Sequence, residues 1–402
     1  MTKVYAALPV LNEPEHIKRV IDELLNQEGV KTGLVICVNQ PSEWWGMTDK
    51  QEACMNNLET LEYLSSLHSP GITCIDKCSP GNGWIGKKHG VGWARKTAMD
   101  IANEMAEDED IILSVDADTY YPPRYFKSVI DSFDRNPQAV GFSSPYYHLL
   151  TGDETADRCI LRYEIYMRNY SLNMLLIRNP YCFSAIGSGM ACKARIYRKI
   201  RGLTPKMSGE DFYFIQKLRK LGPIIIDNEE TIYPASRFSN RVYFGTGPAM
   251  IKGRTGDWSS YPIYDQSLFR QVKTTFDLFD RLYTKDIPTP MDACLMEEGA
   301  TASIWEPLRQ NCTNTVQFGK AATQKIDALR ILQFLKISDK DHTVSAEGKL
   351  ASFMIENFYP EKRISELLEK LNFKEDTVAT LNLVRDFMFV IERQLQQKYQ
   401  TA

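Results

Sequence analysis

No stretch of this 402-residue sequence approaches the roughly 20 consecutive apolar residues that span a bilayer. The longest apolar segments, among them IILSV and PIIID, are short enough to be buried strands. An excess of charge of one sign is lacking too. Forty-eight Lys and Arg stand against 51 Asp and Glu, a formal net charge of −3, so no general affinity for nucleic acid or an anionic membrane surface is encoded. The opening MTKVYAALPV is too short and too quickly interrupted for a secretory signal. Cys74 and Cys78 have the spacing of half a zinc site, and no second Cys/His pair completes it. The nine cysteines, an odd number without an export signal, fit reduced thiols and a cytoplasmic location. Internal repeats and low-complexity tracts are absent. What remains is an ordinary soluble composition, 43% hydrophobic and 25% charged, long enough for a large α/β domain and an additional module.

Along the chain, KVYAALPV (3–10) reads as a strand. Asn12 is placed to cap the next helix, with Pro14 in its first turn and Glu15 at the capping-box position. Ile17, Val20, Ile21, Leu24 and Leu25 then fall on one helical face. GLVICVNQP is a second buried strand, and βαβ alternation predicts a parallel sheet with right-handed crossovers. Residues 41–82 read as irregular, with a short helical pattern around Leu58–Leu67. A glycine cluster then opens the helix HGVGWARKTAMDIANEMA, followed by the strand Ile111–Val115, a helix through Phe126–Phe133 and the strand AVGFSSP. Further helices are expected over about 157–179 and over GEDFYFIQKLRKLG, the latter stopped by Gly222. From there to the end the pattern is helical over 265–283, 319–337, 345–358 and 374–399. The expected organisation is an α/β domain over residues 1–262 and a helical C-terminal extension over 263–402.

Three clusters could carry chemistry. Asp116 and Asp118 flank Ala117 directly after an apolar strand. Ligands of a parallel α/β sheet bind outside the carboxyl ends of the strands, and residues i and i+2 of an extended tip point the same way. Two hard carboxylates there suit Mg²⁺ or Mn²⁺ bridging to a substrate phosphate. The alternative is a capped turn, with Asp118 serving the Tyr120 amide. Glu210 and Asp211 open a helix, where acidic residues answer the macrodipole; one of them could equally act as a general base. Gly90-Val91-Gly92-Trp93-Ala94-Arg95-Lys96 opens another, offering amides and two cations to an anion, or else a basic surface with glycines for close packing.

Together LPVLNE (8–13), ICVNQ (36–40), GVGWARK (90–96), DAD (116–118), GSGMACKA (187–194) and GEDFYF (209–214) resemble family 2 glycosyltransferases of the GT-A fold, in the same order and over roughly residues 3–235. The resemblance implies a Rossmann-like, mostly parallel sheet flanked by helices. It implies a metal-dependent transferase that moves a sugar from a nucleotide-diphosphate sugar, most simply a UDP-sugar, to a hydroxyl acceptor with inversion. Carried over residue by residue, Asp118 would ligate the divalent cation, Mn²⁺ or Mg²⁺, that holds the donor diphosphate. Asp116 would stand on the ribose or the metal. Asp211 would be the catalytic base, with Glu210 beside it on the acceptor side. Pro9, Asn12 and Glu13 would line the nucleotide pocket, and Arg95 and Lys96 would stand near the base or diphosphate. Asn39 occupies the place of an aspartate that usually contacts the base, which weakens the implied preference for uracil.

Two departures matter. The Gln-x-x-Arg-Trp signature of processive synthases is absent, since QSLFRQ (266–271) has the wrong spacing, and the histidine some relatives use after the Glu-Asp pair has no nearer counterpart than His342. The segment 237–258 carries Arg237, Arg241, Lys252 and Arg254 among glycines and aromatics. It is expected either to close over the donor diphosphate, with Arg254 in contact, or to be a plain surface connection. Competing functions are a sugar-1-phosphate nucleotidyltransferase and a non-catalytic nucleotide- or carbohydrate-binding protein. The first lacks its glycine-rich Arg/Lys loop after strand one. The acceptor class, saccharide, lipid-linked or small molecule, is open, and the helical extension could serve acceptor binding or a homodimer contact.

Overall fold

The computed structural model describes residues 2–239, 245–296, 303–340 and 343–400. The chain forms two compact units. One takes the chain up to Ile160 together with Phe183–Asp257; the other takes Leu161–Cys182 and the chain from Trp258 onward.

The first unit is built on a seven-stranded sheet: β1 (Val4–Val10), β2 (Thr32–Asn39), β3 (Ile72–Lys77), β4 (Ile111–Ser114), β5 (Gly141–Ser143), β6 (Met190–Lys193) and β7 (Ile224–Ile225), in the order 3-2-1-4-6-5-7. β1 is parallel to β2 and β4, β2 to β3, and β5 to β7; β6 alone runs against both its neighbours, β4 and β5. β1 lies between two partners and under helices, which is why it reads VYAALPV without alternation and is buried throughout except at Pro9.

α1 (Ile17–Leu25) buries Ile17, Val20, Ile21 and Leu24, the face its spacing predicts. The next helices are α2 (Gln51–Ser66), α3 (Val91–Met105), α4 (Tyr125–Arg135), α5 (Glu154–Leu176), α6 (Ala194–Lys199), α7 (Glu210–Leu221) and α8 (Thr246–Arg254). α3 lies on β1, β2 and β4 through Ala94, Ala98 and Ala102, small residues that let helix and sheet come close. Gly222 ends α7 with extended backbone rather than a left-handed cap.

Three expectations are corrected. The irregular stretch 41–82 contains the full helix α2 and the strand β3. α2 buries Cys54, Asn57, Thr60 and Leu64, so polar residues hide its period; β3 is an edge strand of half-exposed residues and lacks the apolar run of a central one. Asn12 does not cap α1. That helix starts at Ile17 with no side-chain cap, while Asn12 adopts a left-handed φ of 54° and is held from α2. Its amide donates to Asn57 Oδ1 at 2.8 Å, and Asn56 Nδ2 donates to its side-chain oxygen at 2.8 Å. The segment 237–258 is not all loop either, since α8 occupies its second half; residues 240–244, with Arg241, lie outside the described residues, as does His342.

The second unit is helical. Residues 161–176 of α5, Ala346–Phe358, Lys362–Glu369 and Val378–Gln400 enclose a core of Leu161, Ile165, Leu172, Phe353, Met354, Leu368, Leu381, Val384 and Met388. Among the described residues no helix is long and apolar enough to cross a membrane.

Candidate active site

β4 delivers the DAD turn to the carboxyl edge of the sheet. The Asp116 amide donates to Tyr121 Oη at 2.8 Å, and that hydroxyl donates to the Ser188 carbonyl at 3.0 Å, so the turn is tied to the glycine segment before β6. The Tyr120 amide donates to the Tyr233 carbonyl at 3.0 Å, which removes the reading of Asp118 as its cap.

Arg95 is the organising side chain. It is 2% exposed. Its Nε donates to Glu210 Oε1 at 2.9 Å and its Nη2 to Asp116 Oδ1 at 2.9 Å. Its Nη1 donates to the Gly187 carbonyl at 3.0 Å and also to Ser114 Oγ. One guanidinium from the glycine-opened α3 thus joins the DAD turn, the glycine segment and the start of α7. Opposite charges keep it ionised against its burial, Asp116 first and Glu210 next. Glu210, 3% exposed, faces this arginine, whereas Asp211 is half-buried and its Oδ1 accepts only the neighbouring Phe212 amide, at 2.7 Å.

Burial first, then the Glu210 charge, pushes the Asp211 carboxyl up to about 7, against the Phe212 amide and Arg95. Burial likewise raises Asp116, with Asp118 and Glu210 adding to it and Arg95 opposing. On the other side of the turn, Arg237 Nη2 donates to Asp118 Oδ2 at 2.5 Å and to Glu13 Oε1 at 2.6 Å. Four carboxylates, Glu13, Asp116, Asp118 and Glu210, therefore share two guanidiniums, Asp211 adds a fifth acid beside them, and the site is rich in negative charge.

The remaining expected residues lie as follows. Asn39 is buried, its Nδ2 donating to the Val10 carbonyl at 2.8 Å and its Oδ1 accepting from Trp84 Nε1 at 3.1 Å. It fastens the tips of β1 and β2 to the loop before α3. Pro9 pairs in register with Cys37 within β1 and β2. Lys96 is engaged one turn along its own helix, 2.7 Å from Asp100. Arg254 is exposed at the end of α8, its guanidinium 5.5 Å from the Phe238 ring centre. Neither cation belongs to the carboxylate cluster. Sequence reasoning missed Ser114, Tyr121 and the Gly187 carbonyl, because each acts through a contact remote in sequence; Arg237 stood out only as one basic residue among four.

Asp116 and Asp118 are hard oxygen donors on one turn, and the surplus negative charge calls for a cation. Among the described residues no three His, Cys, Asp or Glu side chains gather into a metal-holding group. Two carboxylates on one turn suit an ion that takes one or two carboxylates from the protein and its other ligands from phosphate and water.

Gly187 is required by close approach. A Cβ there would lie 2.8 Å from Arg95 Nη2 and 3.3 Å from its Cζ. Gly187→Ala should destabilise the protein by about 1–3 kcal/mol through overpacking. It should also lower activity more than that loss explains, because Arg95 cannot move without releasing Asp116 or Glu210. Thermal unfolding and turnover of the same preparation check it; an unchanged melting temperature would show that Arg95 is not fixed.

No protein-family model matches the sequence, and no curated protein sequence matches it. Among solved structures the chain is similar to a mannosyltransferase from Pyrobaculum calidifontis in complex with GDP-Man and Mn²⁺, at 12% identity over 98% of this chain and 87% of that one, with a TM-score of 0.39. It is similar to S. aureus TarS, residues 1–349, in complex with UDP, at 11% identity over 89% and 93% of the two chains, with a TM-score of 0.39. A third is a glucosyl-3-phosphoglycerate synthase from Mycobacterium tuberculosis in complex with Mn²⁺, UDP-glucose and glycerol 3-phosphate, at 15% identity over 63% and 80%, with a TM-score of 0.33. At such scores the likeness carries no argument about this chain's activity, which rests on its own residues.

Proposed function

We propose that this protein is a glycosyltransferase that moves a sugar from a nucleotide-diphosphate sugar, most simply a UDP-sugar, to a hydroxyl acceptor with inversion. The observation that carries the reading is the joining of the DAD turn to the Glu210–Asp211 helix start by one buried arginine. In this reading, leaving-group and proton-acceptor chemistry stand side by side, and residues 1–262 form the catalytic domain and 263–402 its helical extension.

Asp211 takes the proton of the acceptor hydroxyl. The freed oxygen attacks the anomeric carbon from the face opposite the donor diphosphate. As that bond forms, the bond to the diphosphate oxygen breaks and its electron pair leaves with the nucleotide; one displacement inverts the configuration. A carboxyl held up to about 7 is ionised in a useful fraction near neutral pH and is still basic enough to accept a proton. Glu210 is a positioning residue in this scheme, facing Arg95, which in turn fixes Asp116. Asp118 and Asp116 would hold the divalent cation, which when bound supplies Lewis-acid stabilisation of the diphosphate charge. Glu13, Asn12 and Pro9 form the nucleotide side, and Arg254 is proposed at the donor phosphates.

Thermal unfolding of wild type and Asp118→Ala with Mn²⁺ and UDP, GDP or dTDP tests the donor site. One nucleotide should raise the melting temperature only when Mn²⁺ is present, as mass action on the native state requires, and the variant should lose the rise. No rise with any of the three would sink the donor site.

A further inference from the structure

Four arginines are buried among the described residues: Arg95, Arg162, Arg168 and Arg385. Three of them face carboxylates. Arg95 pairs with Asp116 and Glu210, Arg168 with Glu164 and Glu392, and Arg385 with Glu164 and Asp386. Arg162, 5% exposed, has no carboxylate partner among the described residues. Its Nη2 reaches one acceptor, the Tyr261 carbonyl, at a long 3.4 Å, and its Nη1 is buried without any partner. Leaving a buried charge uncompensated is among the most costly arrangements a protein can keep. A satisfied native arginine would show neither feature.

What surrounds Arg162 is aromatic. The guanidinium carbon lies 5.2 Å from the Trp258 ring centre and 4.5 Å from that of Phe373, so it stands within cation–π distance of two rings. Tyr261 is packed in turn on Tyr163 and Tyr166, with ring centres 5.1 and 5.5 Å apart. Trp258, Tyr261 and Phe373 are only half-buried, so the cation sits one side-chain layer beneath the surface. Burial lowers its pKa to about 10, and Glu347 and Tyr166 offset this only in part. Glu347 does not reach it as a partner; its Oε1 instead accepts the Phe373 amide at 3.2 Å.

A guanidinium flanked by rings keeps its in-plane N–H groups for recognition, and in that plane the two parallel bonds to a carboxylate or phosphate form. Rings against it further exclude water and strengthen the attraction. We propose that Arg162 is the anchor of a second ligand site, within the helical unit, for a small molecule bearing a phosphate or carboxylate oxyanion, whose apolar part lies on Trp258 and Tyr261. This site is independent of the donor site and does not rest on the transferase reading.

The test is thermal unfolding in Mn²⁺-free buffer at fixed ionic strength, with chloride replaced stepwise by inorganic phosphate or by acetate. At about ten times the dissociation constant the wild type should gain about 2–4 °C from at least one of the two anions, the one that responds naming the oxyanion class. Arg162→Met, close in shape, should fold, show a melting temperature in chloride at or above that of wild type, and lose the gain. Arg162→Lys, which keeps the charge and loses the planar fork, should fold and lose most of it. Asp118→Ala should keep the full gain, which separates this site from anion binding at the donor site. Trp258→Phe should abolish an anion-dependent change in tryptophan fluorescence. The proposal is overturned if neither anion stabilises the wild type, if Arg162→Met responds as the wild type does, or if Asp118→Ala removes the response.

Discussion

Asp211→Asn should lower the turnover of sugar transfer by about 10²–10⁴-fold, the range over which a positioned general base contributes. Donor binding should stay close to wild type, because Asp116, Asp118 and Arg95 keep their contacts. Asparagine preserves the shape and the bond from the Phe212 amide and removes only the ability to take a proton. The pH dependence makes a second readout. In the wild type kcat/KM should rise with pH through about 7, the value to which burial and Glu210 push Asp211, and the variant should lack that limb. Stability should move in the opposite sense. A carboxyl raised from 3.8 to about 7 holds its proton more tightly folded than unfolded, so it weakens the native state as pH rises between those values. The variant should therefore match the wild type in strong acid and gain on it toward neutrality, by at most about 1.4 kcal/mol per pH unit. A variant that keeps turnover within tenfold of wild type would exclude Asp211 as the base.

The largest effect on stability is expected in the second unit. Glu164 Oε1 accepts from Arg168 Nη2 at 2.5 Å, and Glu164 Oε2 accepts from Arg385 Nη1 at 3.2 Å; Arg168 also pairs with Glu392. Glu164, Arg168, Arg385 and Glu392 are all at most 2% exposed at the side chain. The network fastens α5 to the terminal helix Val378–Gln400. Two acids and two bases balance, so the set is tolerable as a whole and intolerable in part. Glu164→Ala should cost about 3–5 kcal/mol, because it leaves two buried guanidiniums with one buried carboxylate, Glu392, and the half-exposed Asp386. Replacing all four by apolar residues of similar volume should cost far less, despite four substitutions instead of one. Denaturant unfolding of both proteins decides the matter; equal losses would mean that the ion pairs themselves, rather than the cost of orphaning their members, hold the helices together.

Much of the first unit was legible in the sequence, for physical reasons that vary along the chain. β1, β2 and β4 are buried on both faces and announce themselves as apolar runs. α1 has one greasy stripe, and the terminal helix shows Leu381, Val384 and Met388 at helical spacing. β3 and α2 stayed hidden because an edge strand needs little apolar residue and α2 buries polar side chains. At the site, the identities of Asp116, Asp118, Glu210 and Asp211 could be read, but their division of labour could not. Glu210 and Asp211 differ in surroundings because one faces Arg95 and the other does not. That depends on a contact 115 positions away in sequence, which no local pattern encodes. Asn12 was misread for a related reason: its short side chain suits a helix cap or a left-handed turn equally, and the choice was made by Asn56 and Asn57 of α2.

The reversal of β6 has an evolutionary corollary. Ser114, the last residue of β4, pairs with Met190, the first of β6, so the chain entering β6 arrives where the DAD turn departs. A parallel strand at that position would have brought its leading segment to the far edge. With the strand reversed, residues 183–186 lie upstream of a pairing register that Met190–Lys193 already fixes and of Gly187 and Ser188, which Arg95 and Tyr121 hold. Variation in residues 183–186 can thus proceed without disturbing the pairing of β6 with β4 or the contacts that hold Gly187 and Ser188.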